Sequence, residues 1–595
     1  MTLPDRLTPD GLLAGYRAGS FTPEDVVTEL LARIDAYADP AVWIARVAAD
    51  AVLERARDLQ RDPAARALPL YGVPFAVKDN IDVAGMPTTA GCPAFAYTPD
   101  RSAPVVERLL AAGAIVLGKT NLDQFATGLV GTRSPYGAPR SVFDRDYISG
   151  GSSSGSAVAV AAGLCAFALG TDTAGSGRVP AAFNDIAGIK PTRGVLSTQG
   201  VVPACRSLDC VSIFAVSAAD ARGVAVVAQG FDAADPYSRA VRDVRLRGGP
   251  LRCGVLAPAQ REFFGDAQAA ELYAQAIERV RARGGEIVEF DFTPFRETAE
   301  LLYGGAFVAE RMAAIAPFFA AHADEIEPTV RTIIGGAERF SAADAFGAQY
   351  RLRALERRAG AAWEAFDVML LPTAPTTYTV AEVMADPIAT NARLGAYTNF
   401  VNLLDYCAVA VPAGCRPNGL PFGVTFVAPA FCDRDLAALA TRFVAATAEP
   451  FAVEATAASA NRIAVAVAGA HMTGFPLNTQ LTQRGATLVG TRTTAPGYRL
   501  FALPNTAPPK PALVRDPAFA GGGIEVEVWS LPPAEFGSFV AAQPAPLGIG
   551  RVTLADDSEV AGFICERHAL QGATEITAYG GWRAYRADER PAKLR

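Results

Sequence analysis

Residues 146–180 read DYISGGSSSGSAVAVAAGLCAFALGTDTAGSGRVP, a stretch that is poor in charge and rich in glycine, serine and alanine. Two glycine–serine turns, Ser149–Ser156 and Thr171–Gly177, flank the apolar run Ala157–Leu169. Glycine allows the backbone to pass close to other groups and to adopt positive φ. The clustered serine and threonine residues supply hydroxyls and exposed backbone N–H groups. The stretch therefore predicts a nucleophile site with its own oxyanion hole.

The two turns resemble those of a known family. GGSSSGSA followed by GTDTAGSGRVPAA resembles the amidase signature enzymes, which use a serine–cis-serine–lysine triad. The resemblance implies that Ser176 is the nucleophile and that Ser152, which follows a cis peptide bond, is the bridging serine. It also implies a lysine upstream in an apolar strand, and the segment YGVPFAVKDN supplies Lys78 after alternating apolar residues.

The triad needs a base for the serine hydroxyl, and a lysine serves as a base only when it is neutral. Burial penalises the ammonium form and lowers the lysine pKa, sometimes by several units. The apolar residues that precede Lys78 are consistent with such burial. Ser152 would then pass the proton of Ser176 to Lys78.

Backbone donors for the oxyanion are also implied by the resemblance, and each is typically worth about 3 kcal/mol in the transition state. The expected donors are the N–H groups of Thr173, Ala174, Gly175 and Ser176. The family usually has glycine where Ala174 stands and a bulky aliphatic residue where Gly177 stands, and neither difference removes a donor. Asp172 and Arg178 are expected to hold the loop rather than to take part in the chemistry.

Composition limits the classes of protein. The chain has 595 residues, of which 50% are hydrophobic and 19% are charged, and its net charge is −7. This charge offers no broad attraction for nucleic acid or an anionic membrane. The N-terminus lacks the pattern of a signal peptide, and no run approaches the roughly 18 apolar residues of a membrane span. The nine cysteines are scattered without CxxC pairs, so we expect a reduced cytoplasmic protein with no metal or cofactor.

Alternation of short apolar strands and alanine-rich helices up to about Ala446 favours a mixed α/β sheet covered by helices. Thr22 reads as the N-cap of a helix, Val105–Ala112 as a second helix and Ala114–Leu117 as a buried strand. We expect an amidase domain over 1–450, a linker over 451–461 and a smaller β-rich α+β domain over 462–595. Strand-like runs in that last domain are Ile463–Val467, Ala486–Val489, Tyr498–Ala502, Ile524–Val528 and Val560–Cys565.

Two motifs suggest other functions. Gly113–Thr120 formally satisfies GxxxxGK[ST], but the predicted strand lies between the two glycines, where a phosphate loop needs flexible backbone. Gly151–Gly155 formally satisfies GxSxG, but that hydrolase class needs a histidine downstream. Only three histidines exist, and His322 lies in a charged helical run while His471 and His568 lie in the second domain. Both alternatives are therefore weaker than the lysine triad.

The substrate is suggested by further resemblance. TNLDQFATGLVGTRSPYG, residues 120–137, and SLDCVSIFA, residues 207–215, resemble the allophanate hydrolase branch of the family, and Gln124 and Gly128 are expected at the substrate. ETAELLYGGAFVAERMAA predicts one helix over Glu297–Ala314. The resemblance implies that Tyr303 and Arg311 bind the carboxylate of allophanate there, and arginine suits a bidentate grip on a carboxylate.

The second domain resembles the γ-glutamylcyclotransferase-like barrel of allophanate hydrolases through AGAHM and PLN, residues 468–472 and 476–478. The resemblance implies that His471 handles N-carboxycarbamate, the product of the first step. A satisfied turn histidine is an equal alternative, and oligomerisation, as a homodimer, is the other role for this domain. Functional coupling to a urea carboxylase is a further expectation.

We therefore predict an allophanate hydrolase that needs no ATP and that releases ammonia and carbon dioxide. Two alternatives stay open. One is another small-amide amidase of the same family, and the other is a catalytically idle scaffold or partner protein in which the glycine–serine turns merely pack.

Overall fold

The computed structural model describes residues 3–242, 244–445, 450–453 and 462–592. The chain forms two compact units, Met1–Val453 and Glu454–Arg595. Ala452 and Val453, which lie inside the predicted linker, form a short strand paired with Gly249 and Pro250. Residues 454–461, the rest of that linker, lie outside the described residues. The predicted domain boundaries therefore stay a prediction.

The first unit contains helices and strands in alternation. Its helices are α1 (Pro9–Ala18), α2 (Pro23–Ala36), α3 (Ala49–Arg61), α4 (Pro104–Ala111), α5 (Ser154–Ala161), α6 (Val179–Phe183), α7 (Ala218–Ala228), α8 (Ala267–Ala282), α9 (Thr293–Gly304), α10 (Val308–His322), α11 (Pro328–Gly335), α12 (Ala342–Gly360), α13 (Val380–Ala385), α14 (Ala389–Leu394), α15 (Phe400–Leu403) and α16 (Asp433–Val444). Its strands are β1 (Trp43–Arg46), β2 (Pro74–Lys78), β3 (Ile115–Thr120), β4 (Phe167–Asp172), β5 (Ala187–Lys190), β6 (Cys210–Ala215), β7 (Gly249–Pro250), β8 (Arg252–Leu256), β9 (Glu286–Phe290), β10 (Val368–Pro372), β11 (Tyr406–Cys415), β12 (Pro421–Pro429) and β13 (Ala452–Val453).

Eleven of these strands form one mixed sheet in the order β1-β3-β2-β4-β6-β5-β11-β12-β10-β8-β9. Strands β2 and β4 are buried along their whole length, as expected for strands that are covered on both faces. The predicted fold class, a mixed sheet covered by helices followed by a smaller β-rich unit, is confirmed.

Local patterns of the first unit are also confirmed. Thr22 caps α2, and its side chain and that of Asp25 form a capping box, in which each satisfies a backbone N–H of the first turn. The strand predicted over Ala114–Leu117 extends as β3 through Thr120. Gly118 and Lys119 therefore belong to a strand, and Lys119 forms a buried ion pair with Asp79 at 3.0 Å. A phosphate loop is excluded there.

The order of the central strands positions the candidate site. Strand β2 runs parallel to β4 with Val77 opposite Leu169, and it runs parallel to β3 on its other side. Parallel neighbours end at the same edge of a sheet. Lys78, at the end of β2, is therefore brought to the segments that follow β3 and β4.

The helix predicted over Glu297–Ala314 is wrong as a single element. Helix α9 ends at Gly304 and α10 begins at Val308. Gly305 between them has extended backbone at φ −122° and ψ −174°, and a Cβ on Gly305 would lie 2.9 Å from the carbonyl oxygen of Leu301. Glycine also weakens a helix interior by about 1 kcal/mol relative to alanine, so the pair at 304 and 305 ends the helix.

The second unit is rich in β-structure. Its elements are β14 (Ile463–Val467), α17 (Thr479–Thr482), β15 (Thr487–Thr493), β16 (Tyr498–Ala502), β17 (Pro511–Arg515), β18 (Glu525–Leu531), α18 (Pro533–Ala541), β19 (Leu547–Thr553), β20 (Glu559–Cys565), β21 (Thr574–Glu575) and α19 (Trp582–Ala592). They form a five-stranded sheet, β15-β18-β14-β20-β19, and a three-stranded sheet, β17-β16-β21. The five predicted strands are present, whereas β17, β19 and β21 were not predicted from the sequence.

No helix within the described ranges is both long enough and apolar enough to cross a membrane.

Candidate active site

Lys78 lies at the centre of a cluster of hydroxyl groups. Its side chain is fully buried, and Nζ donates hydrogen bonds to Ser152 Oγ at 2.8 Å, Ser153 Oγ at 3.0 Å and Thr171 Oγ1 at 2.7 Å. Three acceptors match the three donors of an ammonium group. A neutral amine in the same place would accept a proton from one of these hydroxyls.

Burial decides the charge of this amine. Loss of solvation lowers the pKa of Lys78 to about 7, although the negative charges of Asp123, Asp172 and Asp209 act in the opposite direction. None of these carboxylates forms a salt bridge with Lys78 in the described part of the chain. A lysine in this setting is neutral in a large fraction of molecules near neutral pH, so it can act as a general base.

Ser152 and Ser176 lie in the two glycine–serine turns. The peptide bond between Gly151 and Ser152 is cis. Ser176 is 3% exposed, and its hydroxyl donates a long hydrogen bond of 3.4 Å to the carbonyl oxygen of Gly128. Among the described residues the hydrogen bonds link Lys78 to Ser152, and none joins Ser152 to Ser176. The roles of these three residues in a triad therefore stay a prediction.

A buried ion pair holds the loop that carries Ser176. Arg178 Nε and Nη2 both donate to the carboxylate of Asp172 at 2.9 Å. Burial raises the pKa of Asp172, but the charge of Arg178 and its hydrogen bonds lower it by more. The pKa of Asp172 therefore lies below its usual value. The same carboxylate accepts from the N–H groups of Gly175 at 2.9 Å and Gly177 at 3.0 Å.

The N–H of Gly175 is therefore already engaged by Asp172 and is not a free oxyanion donor in this structure. The N–H groups of Thr173, Ala174 and Ser176 have no hydrogen-bond partner among the described residues. These three remain available to an oxyanion.

Gly177 stands where the family usually has a bulky aliphatic residue, and the structure explains the difference. A Cβ on Gly177 would lie 2.5 Å from Cβ of Ser212 and 3.1 Å from Cβ of Asp172. Strand β6, which carries Ser212, is the antiparallel neighbour of β4. The close approach of β6 to the loop therefore leaves room only for glycine.

Asp123 was not predicted from the sequence, yet it joins the two loops around Ser176. Its fully buried carboxylate accepts from the N–H groups of Gly131 at 3.0 Å and Arg133 at 2.9 Å, and its own N–H donates to the carbonyl of Ser152 at 3.1 Å. A Cβ on Gly151 would lie 2.1 Å from this carboxylate. The sequence signal for Asp123 was its position just after β3, because β3 ends beside the end of β2, where Lys78 lies.

Tyr303 and Arg311 meet across the break between α9 and α10. Nη2 of Arg311 donates to the Tyr303 hydroxyl at 3.0 Å, and the guanidinium lies 4.9 Å from the centroid of the Tyr303 ring. Nη1 donates to Thr127 Oγ1 at 3.1 Å. Thr127 precedes Gly128, whose carbonyl accepts from Ser176, so the guanidinium lies near the candidate nucleophile.

Arg311 is a buried cation with no carboxylate within ion-pair distance among the described residues. The residue is 2% exposed, its Nε has no hydrogen-bond partner, and no carboxylate in the described ranges forms a salt bridge with it. Isolated buried charges are costly and are normally paired. The guanidinium therefore indicates a binding place for an anion.

Gln124 is occupied by contacts within the protein. Its Oε1 accepts from the N–H of Glu327 at 2.7 Å, and its Nε2 donates to the carbonyl of Gly91 at 3.1 Å. The predicted role of Gln124 at a substrate would have to compete with these bonds. Gly128, in contrast, contacts Ser176 directly, and a Cβ on Gly128 would lie 2.5 Å from the Asp123 carboxylate.

A cavity of about 610 Å³ lies beside this site. Tyr303 lines it on the side of the guanidinium, and Arg133 and Asn391 line it on the side of the Thr127–Gly131 loop. Arg133 Nη1 donates to the carbonyl of Thr127 at 2.9 Å, and Asn391 accepts from the N–H of Leu129 at 2.7 Å. Two residues that line the cavity and the candidate nucleophile therefore contact the same short loop.

His471, in the second unit, is buried and enclosed by aromatic rings. Its imidazole stacks on Phe563 at 5.0 Å between ring centroids and meets the edge of Phe539 at 5.4 Å. Nε2 forms a hydrogen bond of 3.0 Å with Gln480 Oε1. Burial lowers the pKa of His471, so the ring is neutral at physiological pH.

Comparison with known proteins agrees with this architecture. A family model described as Amidase matches residues 25–437, and a model described as Allophanate hydrolase C-terminal domain matches residues 463–587. The chain is 44% identical over 567 residues to the urea amidolyase of Saccharomyces cerevisiae, covering 91% of this chain and 31% of that protein. It is 35% identical to a glutamyl-tRNA(Gln) amidotransferase chain of Symbiobacterium thermophilum, covering 71% of this chain and 93% of that one.

Among solved structures, the allophanate hydrolase of Kluyveromyces lactis superimposes with a TM-score of 0.72 at 40% identity, covering 98% of this chain and 99% of that one. The fold, the lysine–hydroxyl cluster and these matches define the chain as an amide hydrolase. It belongs to the Amidase family, and it carries the C-terminal domain of the allophanate hydrolases. The predicted resemblance is confirmed. The chain spans only about a third of the length of the urea amidolyases it matches.

We expect the reactivity of Ser176 to follow the charge of Lys78. Because Lys78 must be neutral to accept a proton and its pKa is about 7, covalent labelling of Ser176 by a fluorophosphonate should rise about tenfold from pH 6 to pH 8 and level off above. The labelling rate at each pH is the measurement. Ser176→Ala should abolish labelling, whereas Ser154→Ala should retain it, because the one hydrogen bond of the Ser154 hydroxyl among the described residues goes to the carbonyl of Asn121. A rate that is flat over this pH range would contradict the role of Lys78.

We also expect Gly177→Ala to lower the stability of the first unit by about 1–3 kcal/mol, because the added methyl group overpacks against Ser212. The measurement is the temperature at which Ser176 loses fluorophosphonate labelling. The double variant Gly177→Ala/Ser212→Gly should recover most of the loss. Gly223→Ala is the matched control, since a Cβ there meets open space. Equal melting of the Gly177 variant and the wild type would disprove the steric account.

Proposed function

We propose that this chain hydrolyses allophanate, a urea that carries a carboxylate on one nitrogen. The observation that supports this most directly is the buried guanidinium of Arg311, which has no carboxylate partner in the described ranges and lies near Ser176. A small amide with its own carboxylate would supply the missing anion. The relatives that are called urea amidolyases and the matching allophanate hydrolase structure are consistent with this substrate.

In the proposed first step, Ser176 Oγ attacks the terminal carbamoyl carbon while its proton moves through the Ser152 hydroxyl to Lys78. The carbonyl oxygen becomes an oxyanion, for which the N–H groups of Thr173, Ala174 and Ser176 are the donors. Collapse of this intermediate breaks the C–N bond, and the nitrogen takes the proton from Lys78 and leaves as ammonia. The acyl group remains on Ser176.

In the second step, water attacks the acyl carbon, and its proton passes to Lys78 along the same hydroxyls. The Ser176 oxygen then leaves and takes the proton back from Lys78 through Ser152, and the product is N-carboxycarbamate. Overall, allophanate and one water give N-carboxycarbamate and one ammonium ion. N-carboxycarbamate with three protons yields one further ammonium ion and two molecules of carbon dioxide.

The Tyr303–Arg311 pair would hold the substrate carboxylate. Arginine offers a planar fork that matches a carboxylate, and the hydrogen bond from Arg311 to Tyr303 fixes the orientation of that fork. Such a grip places the carbamoyl group at the far end of a planar substrate, towards Ser176. We further propose that a urea carboxylase supplies the allophanate. The homodimer and the cytoplasmic location stay predictions from the sequence.

We expect Arg311→Lys to raise the KM for allophanate by at least about tenfold, because the lysine keeps the charge but loses the bidentate grip. Ammonia release from allophanate is the assay, and biuret, which carries an amide in place of the carboxylate, is the matched neutral substrate. Turnover of biuret should be unchanged. Arg353→Lys, at an exposed ion pair with Glu356, is the control variant. An unchanged KM for allophanate would rule out this role of Arg311.

We propose that His471 acts on N-carboxycarbamate in the second unit, since a neutral imidazole held by Gln480 can exchange protons. In His471→Asn the first ammonia should appear at the normal rate, while release of the second ammonia and carbon dioxide should lag. The two products are followed in one time course. His568→Asn, an exposed histidine of the same unit, is the control. If the His471 variant released both ammonia molecules and carbon dioxide together, the catalytic role would be ruled out and His471 would serve only to pack against the aromatic rings.

A further inference from the structure

The segment Ala204–Asp209, here named the bridging segment, lies between the guanidinium and the loop of Ser176. Inside this segment, Ser207 is held by Glu310, the residue next to Arg311 in α10. The Ser207 N–H donates to Glu310 Oε1 at 2.7 Å and the Ser207 hydroxyl donates to Oε2 at 2.8 Å. This two-point contact fixes the bridging segment to the first turn of α10.

At its last residue, Asp209, the bridging segment contacts the loop of residues 172–177 that carries Ser176, here named the oxyanion loop. The hydroxyl of Thr173 donates a short hydrogen bond to Asp209 Oδ1. The Asp209 carboxylate also closes the segment on itself, because it accepts from the N–H groups of Ala204 at 2.9 Å and Cys205 at 3.2 Å. Any shift of the bridging segment therefore moves Thr173, whose N–H is one of the three available oxyanion donors.

A second contact makes this end rigid. The amide nitrogen of Asn402 donates both to the carbonyl of Leu208 at 3.0 Å and to the carbonyl of Asp172 at 2.8 Å. Asp172 is the carboxylate that holds the N–H groups of the Ser176 loop. Two side chains therefore tie the bridging segment to the oxyanion loop. Asn402 joins Leu208 to the carbonyl of Asp172, and the Thr173 hydroxyl binds Asp209.

Arg311 and Asp209 carry opposite charges, and both residues are buried. Arg311 is 2% exposed and Asp209 is 7% exposed. Burial raises the pKa of Asp209 to about 6, and the positive charge of Arg311 acts in the opposite direction. In a site without bulk water such charges interact more strongly than they would in solution. A carboxylate bound by Arg311 would change the electrostatic field at Asp209 and the position of the first turn of α10. The Glu310–Ser207 contact would pass that movement along the bridging segment to Asp209 and Thr173.

We infer that the bridging segment couples the carboxylate-binding guanidinium to the oxyanion donors, and that Glu310 is a positioning residue through which the substrate carboxylate assists turnover. This inference rests on the proposed function and deepens it. The enzyme would then favour small anionic amides through a higher kcat as well as through a lower KM. A neutral amide that reaches Ser176 is turned over slowly because the oxyanion loop is not drawn into place.

The test uses Glu310→Gln, which keeps the size of the side chain but replaces one acceptor oxygen with a donor. We expect kcat for allophanate to fall about tenfold, with KM changed less than about twofold. The kcat for biuret and the rate of Ser176 labelling by a fluorophosphonate should stay as in the wild type. Glu297→Gln, at an exposed ion pair on α9, is the matched control.

Ser207→Ala provides a second variant at a half-buried position, with a milder change. It should lower kcat for allophanate in the same selective way, and the double variant should be no slower than Glu310→Gln alone, because both changes remove one shared contact. Equal losses for allophanate and biuret, or a change in KM alone, would overturn the inference and leave the proposed function intact. Absence of allophanate hydrolysis by the wild type would overturn the proposed function and this inference with it.

Discussion

The candidate site depends on an amine that has been removed from water. Lys78 ends a strand that is buried along its length, and three hydroxyl groups surround its Nζ without a carboxylate in direct contact. A salt bridge would have held the lysine in its charged form. Hydroxyl partners satisfy its hydrogen bonds while they leave burial free to lower its pKa. The low pKa of Lys78 therefore comes from burial, which outweighs the charges of Asp123, Asp172 and Asp209 because none of them forms an ion pair with the amine within the described residues.

Two buried carboxylates shape the backbone around this amine. Asp172 collects the N–H groups of Gly175 and Gly177 with the help of Arg178, and Asp123 collects those of Gly131 and Arg133. Glycine is needed at 128 and 151 because a Cβ there would meet the Asp123 carboxylate, and at 177 because a Cβ there would meet Ser212 of β6. A carboxylate that binds backbone N–H groups can order a loop that has no regular secondary structure, and here it sets which N–H groups remain free.

The proposed anion-binding part of the site arises from an interruption between two helices. A continuous helix would have fixed Tyr303 and Arg311 by rotation and rise alone. The break at Gly305 instead lets α10 start in a new direction, so that the guanidinium packs on the Tyr303 ring and reaches Thr127. The same helix carries Glu310, which links it to the bridging segment. The proposed carboxylate-binding group and the proposed oxyanion donors are thus linked by hydrogen bonds and the backbone between them.

The sequence by itself determined the fold class and many of its elements, and it indicated candidate residues for the chemistry, since capping boxes, apolar alternation and the spacing of the glycine–serine turns are local patterns. It indicated α2, β3, β14 and β16 and singled out Lys78, Ser152 and Ser176. Only the tertiary structure decided that Gly175 gives its N–H to Asp172, that Gln124 is occupied by Gly91 and Glu327, and that Asp123 joins two loops. It also replaced one predicted helix with two. The physical reason is that hydrogen bonds between distant segments depend on which strands and helices become neighbours, which the local pattern of residues does not specify.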